Sequence, residues 1–492
     1  MHVMALPDRI TDRSAVVCVV GMGYVGLPLA RAFVDGGLRV LGFDVDPAKV
    51  QALNAGRTYL HHLGEGFVRQ MRASGRFEAT GDETRLADAD AILICVPTPL
   101  DAKNEPDLSY VEKTADAIAR HLRPGQLVVL ESTTYPGTTR EVVLPRLERA
   151  RADGTRLACG SEAGFYLAFS PEREDPGRKD HTVSTIPKLV GGIDAASTRV
   201  AAALYRVAVQ CVIEVSSSEV AESAKLVENI YRAVNIAMVN ELKVIFEAMG
   251  IDVWEVIEAA KTKPFGFAPF YPGPGLGGHC IPIDPFYLAW RAKQVGERTG
   301  RADVEARFIE LAGRVNHAMP EYVVARTAAA VHEFQHGATR SSTERAAGAE
   351  AMVPAPPSSL RDPPWPSVLN SGAGVLRGKR ILILGLAYKP DIDDVRESPS
   401  FELVELFRAA GCHVEYHDPH VPRTHAMRRY GDLRMESVLW SAATLAAFDA
   451  VVIATHHAWY DWAFVGEHAK LVVDTRGVMR GVGKTKARVV GA

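Results

Sequence analysis

Residues 15–47 read AVVCVVGMGYVGLPLARAFVDGGLRVLGFDVDP. The apolar run Ala15–Val20 is long enough to form a buried parallel strand. A segment with apolar residues at helical spacing extends to Phe33, and a second strand ends at Asp44. The order strand, helix, strand predicts the first unit of a doubly wound α/β domain.

The turn between the first strand and the helix carries glycines spaced as G-x-G-x-x-G, at Gly21, Gly23 and Gly26. The first glycine permits a tight turn, the second lets backbone approach a pyrophosphate, and the third packs helix on strand. The helix N-terminus supplies N–H groups to the phosphates. Asp44 is placed to accept from the adenosine ribose hydroxyls, and its charge repels a 2′-phosphate. The stretch therefore predicts binding of NAD rather than NADP.

Three further apolar runs, 91–96, 126–132 and 165–170, predict strands that are each followed by a polar or Pro-containing loop. In an open parallel sheet, the loops at the carboxyl ends of the strands form the ligand crevice. The polar side chains that gain a place there are Thr98, Thr133 and Glu172. Ordinary capping of the loops is the alternative for each of them.

Residues 219–249 predict one long helix that ends at a glycine. Lys225 and Asn229 are four residues apart and therefore share a face of this helix. A lysine beside an amide can stabilise an oxyanion or alkoxide. A solvated helix face is the alternative, and the helix pattern alone favours it.

Two more helices are expected, at 253–261 and at 304–334, the second with a break at Pro320. Helices of this length between two sheet domains often bury apolar faces against a second subunit. The pattern therefore predicts a homodimer or a higher homo-oligomer.

Residues 263–286 read KPFGFAPFYPGPGLGGHCIPIDPF and fit neither helical nor strand periodicity. Glycines and prolines shape this loop around Cys280, and Asp284 follows four residues later. The glycines allow close approach of backbone, and the carboxylate can position water or a substrate hydroxyl. We interpret Cys280 as a nucleophile, with a buried structural thiol as the alternative.

Composition excludes several classes of protein. The length of 492 residues suggests about three domains. A net charge of −3 gives no bulk attraction to nucleic acid or to an anionic membrane. The cysteines have no CxxC spacing, which predicts neither a disulfide framework nor a metal site, and Cys18, Cys95 and Cys211 lie in apolar runs typical of a core. With no signal peptide or membrane-spanning run, a cytoplasmic protein is expected.

The sequence divides into four segments. Residues 1–214 form the dinucleotide domain and 215–336 the helical centre. Residues 337–374, rich in Ala, Ser, Pro and Arg, form a flexible linker or, alternatively, a docking segment around Trp365. Residues 375–492 repeat the first domain's order of elements without its G-x-G-x-x-G.

The fold class is therefore α/β, with two Rossmann-like doubly wound domains joined by a long helical central domain. In the second of these domains, Lys389 and Arg396 follow the first strand. Basic residues at that place suit a phosphate-bearing ligand that is not bound in the dinucleotide manner.

The motifs together resemble the UDP-glucose/GDP-mannose dehydrogenase family across essentially the whole chain. The resemblance is carried by GMGYVGLPLA, ESTTYPGT, FSPERED, AKLVENIYRAVNIAMVNE, PGLGGHCIPIDP and GLAYKPDIDDVRES. It implies oxidation of a primary alcohol to a carboxylate with two NAD. An aldehyde forms first, and Cys280 holds it as a thiohemiacetal that is oxidised to a thioester and hydrolysed.

The resemblance also assigns roles to particular residues. Lys225 and Asn229 would stabilise the oxygen at C6, and Asp284, Glu172 and Thr133 would serve proton transfer and water. The implied cofactor contacts are Gly21, Gly23, Tyr24, Val25, Gly26, Asp44, Thr98, Thr133 and Arg396. The implied substrate contacts are Glu172, Lys225, Asn229, Phe270, Tyr271, Gly277 and Lys389. No metal is implied.

The variants SPEREDPG and PFYPGPGLGGHCIPIDPF look most like the branch acting on UDP-N-acetylhexosamines, with UDP-N-acetylglucosamine as the first expectation. UDP-N-acetylmannosamine and UDP-glucose are the alternatives. Pro176 stands about where UDP-glucose members carry a second acid, which argues against UDP-glucose. Two other classes stay open: a single-step hydroxyacid dehydrogenase, and a non-catalytic protein that binds nucleotide-sugar.

Overall fold

The computed structural model describes residues 4–60, 63–101, 105–149, 155–173, 183–278, 283–336, 373–424, 430 and 433–492. Cys280 and its neighbours 279–282 lie outside the described residues, and so do residues 337–372, which make up nearly all of the expected linker. Among the described residues, no helix is both long and apolar enough to cross a membrane.

The chain divides into two compact units. The first contains residues 1–228 and 286–305, and the second contains 229–285 and 306–492. The domain boundaries expected from sequence stay predictions.

The first unit is built on an eight-stranded sheet of order β3-β2-β1-β4-β5-β6-β7-β8. Its strands are β1 Val16–Val20, β2 Arg39–Phe43, β3 Phe77–Thr80, β4 Ala91–Ile94, β5 Gln126–Leu130, β6 Phe165–Phe169, β7 Lys188–Gly192 and β8 Val212–Glu214. Neighbouring strands are parallel except β6 and β7, which run antiparallel. The reversal at β7 brings its first residue to the sheet edge where β5 and β6 end.

Helices cover both faces of this sheet. They are α1 Leu6–Thr11, α2 Gly26–Asp35, α3 Pro47–Asn54, α4 Gly66–Ala73, α5 Ser109–His121, α6 Leu144–Leu147 and α7 Ala195–Ala208, with a 3₁₀ turn at Glu83–Asp88 and a π turn at Thr139–Val143. One buried apolar cluster joins the sheet to α1, α2 and α7, and a second joins its other face to α5 and α6. This two-faced burial explains why the strands read as continuous apolar runs.

The second unit contains a five-stranded parallel sheet of order β10-β9-β11-β12-β13. Its strands are β9 Arg380–Leu384, β10 His413–His417, β11 Ala450–Ile453, β12 Leu471–Asp474 and β13 Arg488–Gly491. Two further helices, α8 Ser218–Ala248 and α10 Asp284–Thr299, carry residues of both units. The remaining helices are α9 Val253–Lys261, α11 Arg307–His336, α12 Ala373–Leu376, α13 Pro399–Ala409, α14 Ala442–Ala447 and α15 Trp462–His468, with a 3₁₀ turn at Val478–Gly481. All of these helices except α9 contribute to the apolar clusters that cover this sheet. The expected α/β class is confirmed.

The two sheets use the same local construction at the end of their first strand. Gly21 has φ +93°, and a Cβ there would lie 2.5 Å from the carbonyl oxygen of Cys95. Gly385 has φ +85°, and its Cβ would lie 2.4 Å from the carbonyl oxygen of Thr455. Only glycine fits either position, because both the left-handed conformation and the close contact exclude a side chain.

An aspartate at the end of the second strand then fixes each turn. Asp44 Oδ2 accepts from the Met22 N–H at 3.0 Å. Asp418 Oδ2 accepts from the N–H groups of Leu386 and Ala387, at 2.6 and 3.0 Å. The internal repeat inferred from sequence is therefore a repeat of hydrogen bonding as well as of element order.

The expected break at Pro320 is wrong, because α11 continues through this residue from Arg307 to His336. Proline removes one hydrogen bond of the helix ladder. The helix persists because the residues around Pro320, including Met319 and Val323, are buried on more than one side. Tertiary packing outweighs the local cost.

The expectation that Cys211 belongs to a core is also wrong. Cys18 is buried and Cys95 is partly buried, but Cys211 is exposed. It immediately precedes β8, which is the edge strand of the first sheet and therefore has solvent beside it.

The glycine turn of the first sheet predicts a contrast between two substitutions. A Cβ at Gly26 would lie 2.0 Å from the Gly21 carbonyl oxygen, whereas a Cβ at Gly23 would meet nothing within 4 Å. Gly26→Ala should lower the free energy of unfolding by about 2 kcal/mol or more. Urea unfolding followed by circular dichroism measures this loss.

Gly23→Ala is the matched control, since it adds the same methyl group to the same loop and should leave stability within about 0.5 kcal/mol. Equal stabilities of the two variants would contradict the packing role of Gly26.

Candidate active site

The residues predicted to form the site fall into both units, and each half is described by itself. The first unit holds the glycine turn, Asp44, Thr98, Thr133, Glu172 and Lys225. The second unit holds Asn229, Phe270, Tyr271, Gly277, Asp284, Lys389 and Arg396. Cys280 lies outside the described residues.

The glycine turn forms an open cradle at the N-terminus of α2. Gly23 has free space where a side chain would project, and Tyr24 beside it is exposed. The first N–H groups of a helix have no partner within the helix and carry partial positive charge. Asp44 is buried, and Lys49 Nζ lies 3.1 Å from its Oδ2. The cradle and the fixed carboxylate fit the pyrophosphate and ribose of a dinucleotide.

Hydrogen bonds join two of the strand-end loops in the first unit. Thr98 Oγ1 donates to the Thr133 carbonyl at 2.8 Å. The Tyr287 hydroxyl, on α10, donates to the Thr98 carbonyl at 2.6 Å. The structure therefore brings Thr98 and Thr133 together, and it adds Tyr287, which the sequence reasoning did not single out.

Glu172 belongs to a buried ionic cluster that the sequence reasoning also missed. Lys188 Nζ lies 2.7 Å from Glu131 Oε2 and 3.4 Å from Glu172 Oε2. The Tyr205 hydroxyl donates to Glu131 Oε1. The available signal was a lysine and a glutamate bordering strongly apolar strands, because charges are rarely buried unless they are paired.

The charges of this cluster act on one another. Burial lowers the pKa of the Lys188 ammonium, but the carboxylates of Glu131 and Glu172 outweigh it and raise that pKa above its usual range. Burial also raises the pKa of the Glu131 carboxyl, although Lys188 opposes it. The Lys188 ammonium thus offsets the negative charge of two carboxylates.

Lys225 and Asn229 are both buried, with 7% and 4% exposure. The alternative of a solvated helix face is therefore wrong. In the second unit, Asn229 Nδ2 donates to Asp284 Oδ2 at 2.5 Å, and Asp284 is buried as well. The structure therefore joins two of the predicted catalytic residues directly.

The glycines of the loop before Cys280 allow contact with residues of the second sheet's unit. A Cβ on Gly277 would lie 2.7 Å from Tyr388 Cβ. Gly278 has φ +92°, and its N–H donates to the Arg396 carbonyl at 3.2 Å. Larger residues would push the loop away from the segment that follows β9.

The remaining predicted contacts have mixed surroundings. The Tyr271 hydroxyl donates to Glu258 at 2.6 Å and its ring stacks on Trp254, so it packs on α9. The Phe270 ring meets Tyr231 edge to face at 5.6 Å. Of the two basic residues after β9, Arg396 donates from its guanidinium to both oxygens of Asp394, and Lys389 is half-buried.

One buried cation on α8 was not anticipated. Lys243 Nζ has no hydrogen-bond partner in the part of the chain that the structure describes, and it lies 5.4 Å above the Tyr322 ring. Glu247, whose carboxylate acts on Lys243, is already engaged by Arg326 and the Tyr322 hydroxyl. Burial lowers the pKa of Lys243 to about 8.

Among the described residues, three side chains could in principle offer ligands to one metal ion: Asp391, His420 and His457. His457 is already engaged on both ring nitrogens. Its Nδ1 accepts from the Asp391 N–H at 2.9 Å, and its Nε2 lies 3.1 Å from Asp418 Oδ2. The histidine therefore has no free lone pair for a metal, and its contacts explain its position.

The doubly wound fold with its dinucleotide cradle, together with the buried Lys225 and the Asn229–Asp284 pair, defines a nicotinamide-dependent oxidoreductase. The chain belongs to the UDP-glucose/GDP-mannose dehydrogenase family. The NAD binding domain of that family matches residues 15–209, the central domain matches 219–318, and the UDP binding domain matches 382–481.

Similar proteins extend over almost the whole chain. The UDP-N-acetyl-D-mannosamine dehydrogenase of Salmonella typhi is 32% identical over 471 residues, covering 94% of this chain and 99% of its own. The UDP-N-acetyl-D-glucosamine 6-dehydrogenase of Pseudomonas aeruginosa is 32% identical and covers 90% of each chain. The solved UDP-D-ManNAc dehydrogenase of Pyrococcus horikoshii superposes with a TM-score of 0.76 at 28% identity, covering 97% and 98%.

The protein is thus an NAD-dependent UDP-sugar dehydrogenase. The resemblance, the enzyme class and the cofactor expected from sequence are confirmed.

The buried ammonium of Lys243 predicts a stabilising substitution. Its pKa in the folded chain is about 8, below the usual 10.5, so folding is penalised wherever the unfolded chain holds the proton. The penalty is complete below pH 8 and disappears as the pH rises from there to about 10.5. Lys243→Met should therefore raise the free energy of unfolding at pH 7 by at most about 3 kcal/mol, and Tm with it. The gain should vanish near pH 10.5.

Lys261→Met is the control, since Lys261 is half exposed on α9 and its loss should leave Tm nearly unchanged. A Lys243→Met protein that melts at or below the wild-type temperature at pH 7 would contradict the assignment of an unpaired buried charge. Differential scanning calorimetry without ligands from pH 7 to about pH 10.5 measures the effect.

Proposed function

We propose that this protein oxidises the C6 primary alcohol of a UDP-N-acetylhexosamine, first among them UDP-N-acetylglucosamine, to the uronic acid. The observation that carries the proposal is the near full-length similarity to relatives named for two UDP-N-acetylhexosamines. The loop variants around Glu172 and Cys280 favour N-acetylglucosamine. UDP-N-acetylmannosamine is the nearest alternative, and UDP-glucose is the next.

NAD, when bound at the glycine turn, accepts hydride from C6. Lys225 and Asn229 stabilise the oxygen as it loses its proton, because a cation and an amide N–H both favour developing negative charge. Asn229 is oriented by its hydrogen bond to Asp284. This bond also places a carboxylate next to the amide, where it can take up a proton.

The Cys280 thiolate then attacks the aldehyde carbon and forms a thiohemiacetal. Loss of a second hydride from that carbon gives a thioester. Water adds to the thioester, the carbon–sulfur bond breaks, and the thiolate leaves. Glu172 accepts the proton of the attacking water, with Thr133 in the same water network. The balance is one alcohol, two NAD and one water converted to one carboxylate, two NADH and three protons.

Besides Glu172 and Lys225, groups of the second unit hold the UDP-sugar. Lys389 and Arg396 lie in the segment after β9, within the UDP binding domain. We assign Lys389 and Gly277 to the substrate and Arg396 to the cofactor. Phe270 and Tyr271, which pack on helices of the central domain, flank the sugar. Tyr24, Val25 and Thr98 contact the cofactor.

We also propose a homodimer built on α8. Large apolar side chains recur along this helix and directly after it at spacings of four and seven residues. They are exposed in the single chain: Val227 58%, Tyr231 53%, Met238 45% and Ile245 46% on α8, and Met249 63% just beyond its end. A stripe of this length on one helix is typical of a covered surface.

A cytoplasmic location is a further part of the proposal. It is supported by the free thiols of Cys18, Cys95, Cys159, Cys211 and Cys412, since a reducing compartment keeps such thiols unpaired.

The function is tested by incubating purified protein with NAD and UDP-glucose, UDP-N-acetylglucosamine, UDP-N-acetylgalactosamine or UDP-N-acetylmannosamine. Two NADH per UDP-N-acetylglucosamine are expected, with lower kcat/KM for the others. One NADH per sugar would favour a single-step dehydrogenase. Binding of both ligands without NADH would indicate a non-catalytic protein.

Cys280→Ser should lower uronate formation by about 100-fold or more, because an unionised hydroxyl is a much weaker nucleophile than a thiolate. Product is measured by mass spectrometry of the UDP-sugar. Cys211→Ser is the control, since Cys211 is exposed on the first unit and should be dispensable. Full-rate uronate formation by Cys280→Ser would refute the covalent step.

The proposed dimer predicts that Met238→Glu combined with Ile245→Glu yields the 53.4 kDa monomer, since charges would be buried without partners. Light scattering after size exclusion gives the mass. Lys113→Glu, an exposed change on α5, should keep the dimer. A wild-type protein that is monomeric at micromolar concentration would exclude this assembly.

A further inference from the structure

The buried cluster of Glu131, Lys188, Tyr205 and Glu172 lies at one edge of the first sheet. Glu131 directly follows β5, and Glu172 lies shortly after β6. Lys188 is the first residue of β7, which runs antiparallel to β6. The reversal puts the start of β7 at the edge where β5 and β6 end, and this is the edge where ligands bind in such sheets.

Each group of the cluster has defined partners. Lys188 Nζ bonds Glu131 Oε2 at 2.7 Å and approaches Glu172 Oε2 at 3.4 Å. The other oxygen of Glu131 accepts from the Tyr205 hydroxyl, and Lys188 Nζ lies 5.4 Å above the Tyr205 ring. Glu131 and Tyr205 thus hold the ammonium, while Glu172 is the least buried member, at 15% exposure of its side chain.

Burying a cluster of this kind costs free energy of folding, so its presence suggests a functional role. Two carboxylates and one ammonium carry a net negative charge in a place that is nearly closed to water. An apolar residue at position 188 and a neutral one at 131 would fill the same space without that cost. The arrangement is explained if the ammonium has to hold the exposed carboxylate at the ligand edge in one position and in its charged form.

We propose that Lys188 is a positioning residue for the Glu172 carboxylate in hydrolysis of the thioester, and that Glu131 and Tyr205 hold Lys188 in place. The inference rests on the proposed function. Glu172 itself accepts the proton of the attacking water; Lys188 acts only through Glu172.

Charged and titratable groups reach Glu172 from several elements. Among the described residues they include Lys188 of β7, which lies 3.4 Å from Glu172, and Glu131 and Cys95 at the ends of β5 and β4, which interact with it electrostatically. Arg173 donates its backbone N–H to Glu172 Oε1, and its guanidinium pairs with Glu228 of α8 at 2.6 Å. Tyr205 of α7 acts through Glu131, to which it donates. Of these, Lys188 and Glu131 have opposite signs and can be changed separately. Their opposite signs give the test its direction.

The experiment follows the thioester directly. Enzyme is mixed with NAD and UDP-N-acetylglucosamine at neutral pH, jumped to a final pH between about 3.5 and 9, and quenched at intervals. The acyl-enzyme is measured by intact-protein mass spectrometry. Its decay rate against pH has an acid limb, where the group that accepts the proton of water becomes protonated.

Lys188→Met removes a positive charge beside Glu172, so the acid limb should move up by about one pH unit or more. Glu131→Gln removes a negative charge and leaves the ammonium to Glu172 alone, so the limb should move down by about one unit. Lys188→Arg keeps the charge and should restore a limb close to wild type. A merely structural role would not move the limb in opposite directions.

The double variant Glu131→Gln with Lys188→Met keeps the test valid if Lys188→Met alone does not fold, because it removes both charges of the fully buried Glu131–Lys188 pair together. Compared with Glu131→Gln, its limb should lie about one unit higher. Arg123→Met is the matched control: it breaks a pair with the buried Asp90, which precedes β4 at the opposite edge of the sheet, and should leave the limb in place.

If wild type forms NADH and acyl-enzyme but the acid limb stays in place in all variants, this inference is overturned and the proposed function is left intact. Limbs that move in the same direction in Lys188→Met and Glu131→Gln would overturn it too. No NADH from wild type with any of the UDP-sugars would overturn the proposed function and the inference together.

Discussion

Both sheets of this protein depend on a contact that leaves no room for a side chain. At the end of β1, Gly21 has a positive φ and lies against the carbonyl oxygen of Cys95, which follows the neighbouring strand β4. At the end of β9, Gly385 lies in the same way against the carbonyl oxygen of Thr455, shortly after the neighbouring strand β11. An aspartate from the second strand, Asp44 or Asp418, accepts backbone N–H groups of the same turn. These contacts fix the conformation of the turn, which lies at the carboxyl edge of the sheet, where ligands bind in folds of this kind.

The chemistry of the first unit is placed by that edge. Thr98, Thr133 and Glu172 all come from loops that leave parallel strands in the same direction, so the topology places all three at the same edge of the sheet. Lys188 reaches the same edge by a different route, because β7 is reversed. A cation can thus be supplied from the start of a strand to carboxylates that follow the ends of two others.

Much of the fold could be inferred from residues. The glycine spacing and the aspartate after β2 predicted the dinucleotide turn, and the apolar period with its flanking residues predicted α9 at its observed bounds. The helix break expected at Pro320 was wrong, because the sequence shows the local cost of a proline but not the tertiary packing that offsets it. The buried position expected for Cys211 was wrong, because an apolar run does not reveal that it adjoins an edge strand. Lys188 and Glu131 were overlooked because their meaning depends on a pairing between distant strands.

The sequence by itself determined the order of elements, the first glycine turn, the family and the candidates for chemistry, since each of these depends on residue types at short spacing. Only the tertiary structure decided that Lys225 and Asn229 are buried, that Asn229 bonds Asp284, and that one ammonium joins Glu131 to Glu172. These contacts join residues far apart in the chain. The contact of Lys188 with Glu131 and Glu172 depends on the direction of a single strand, β7. Short spacing in the sequence carries no information about such a direction.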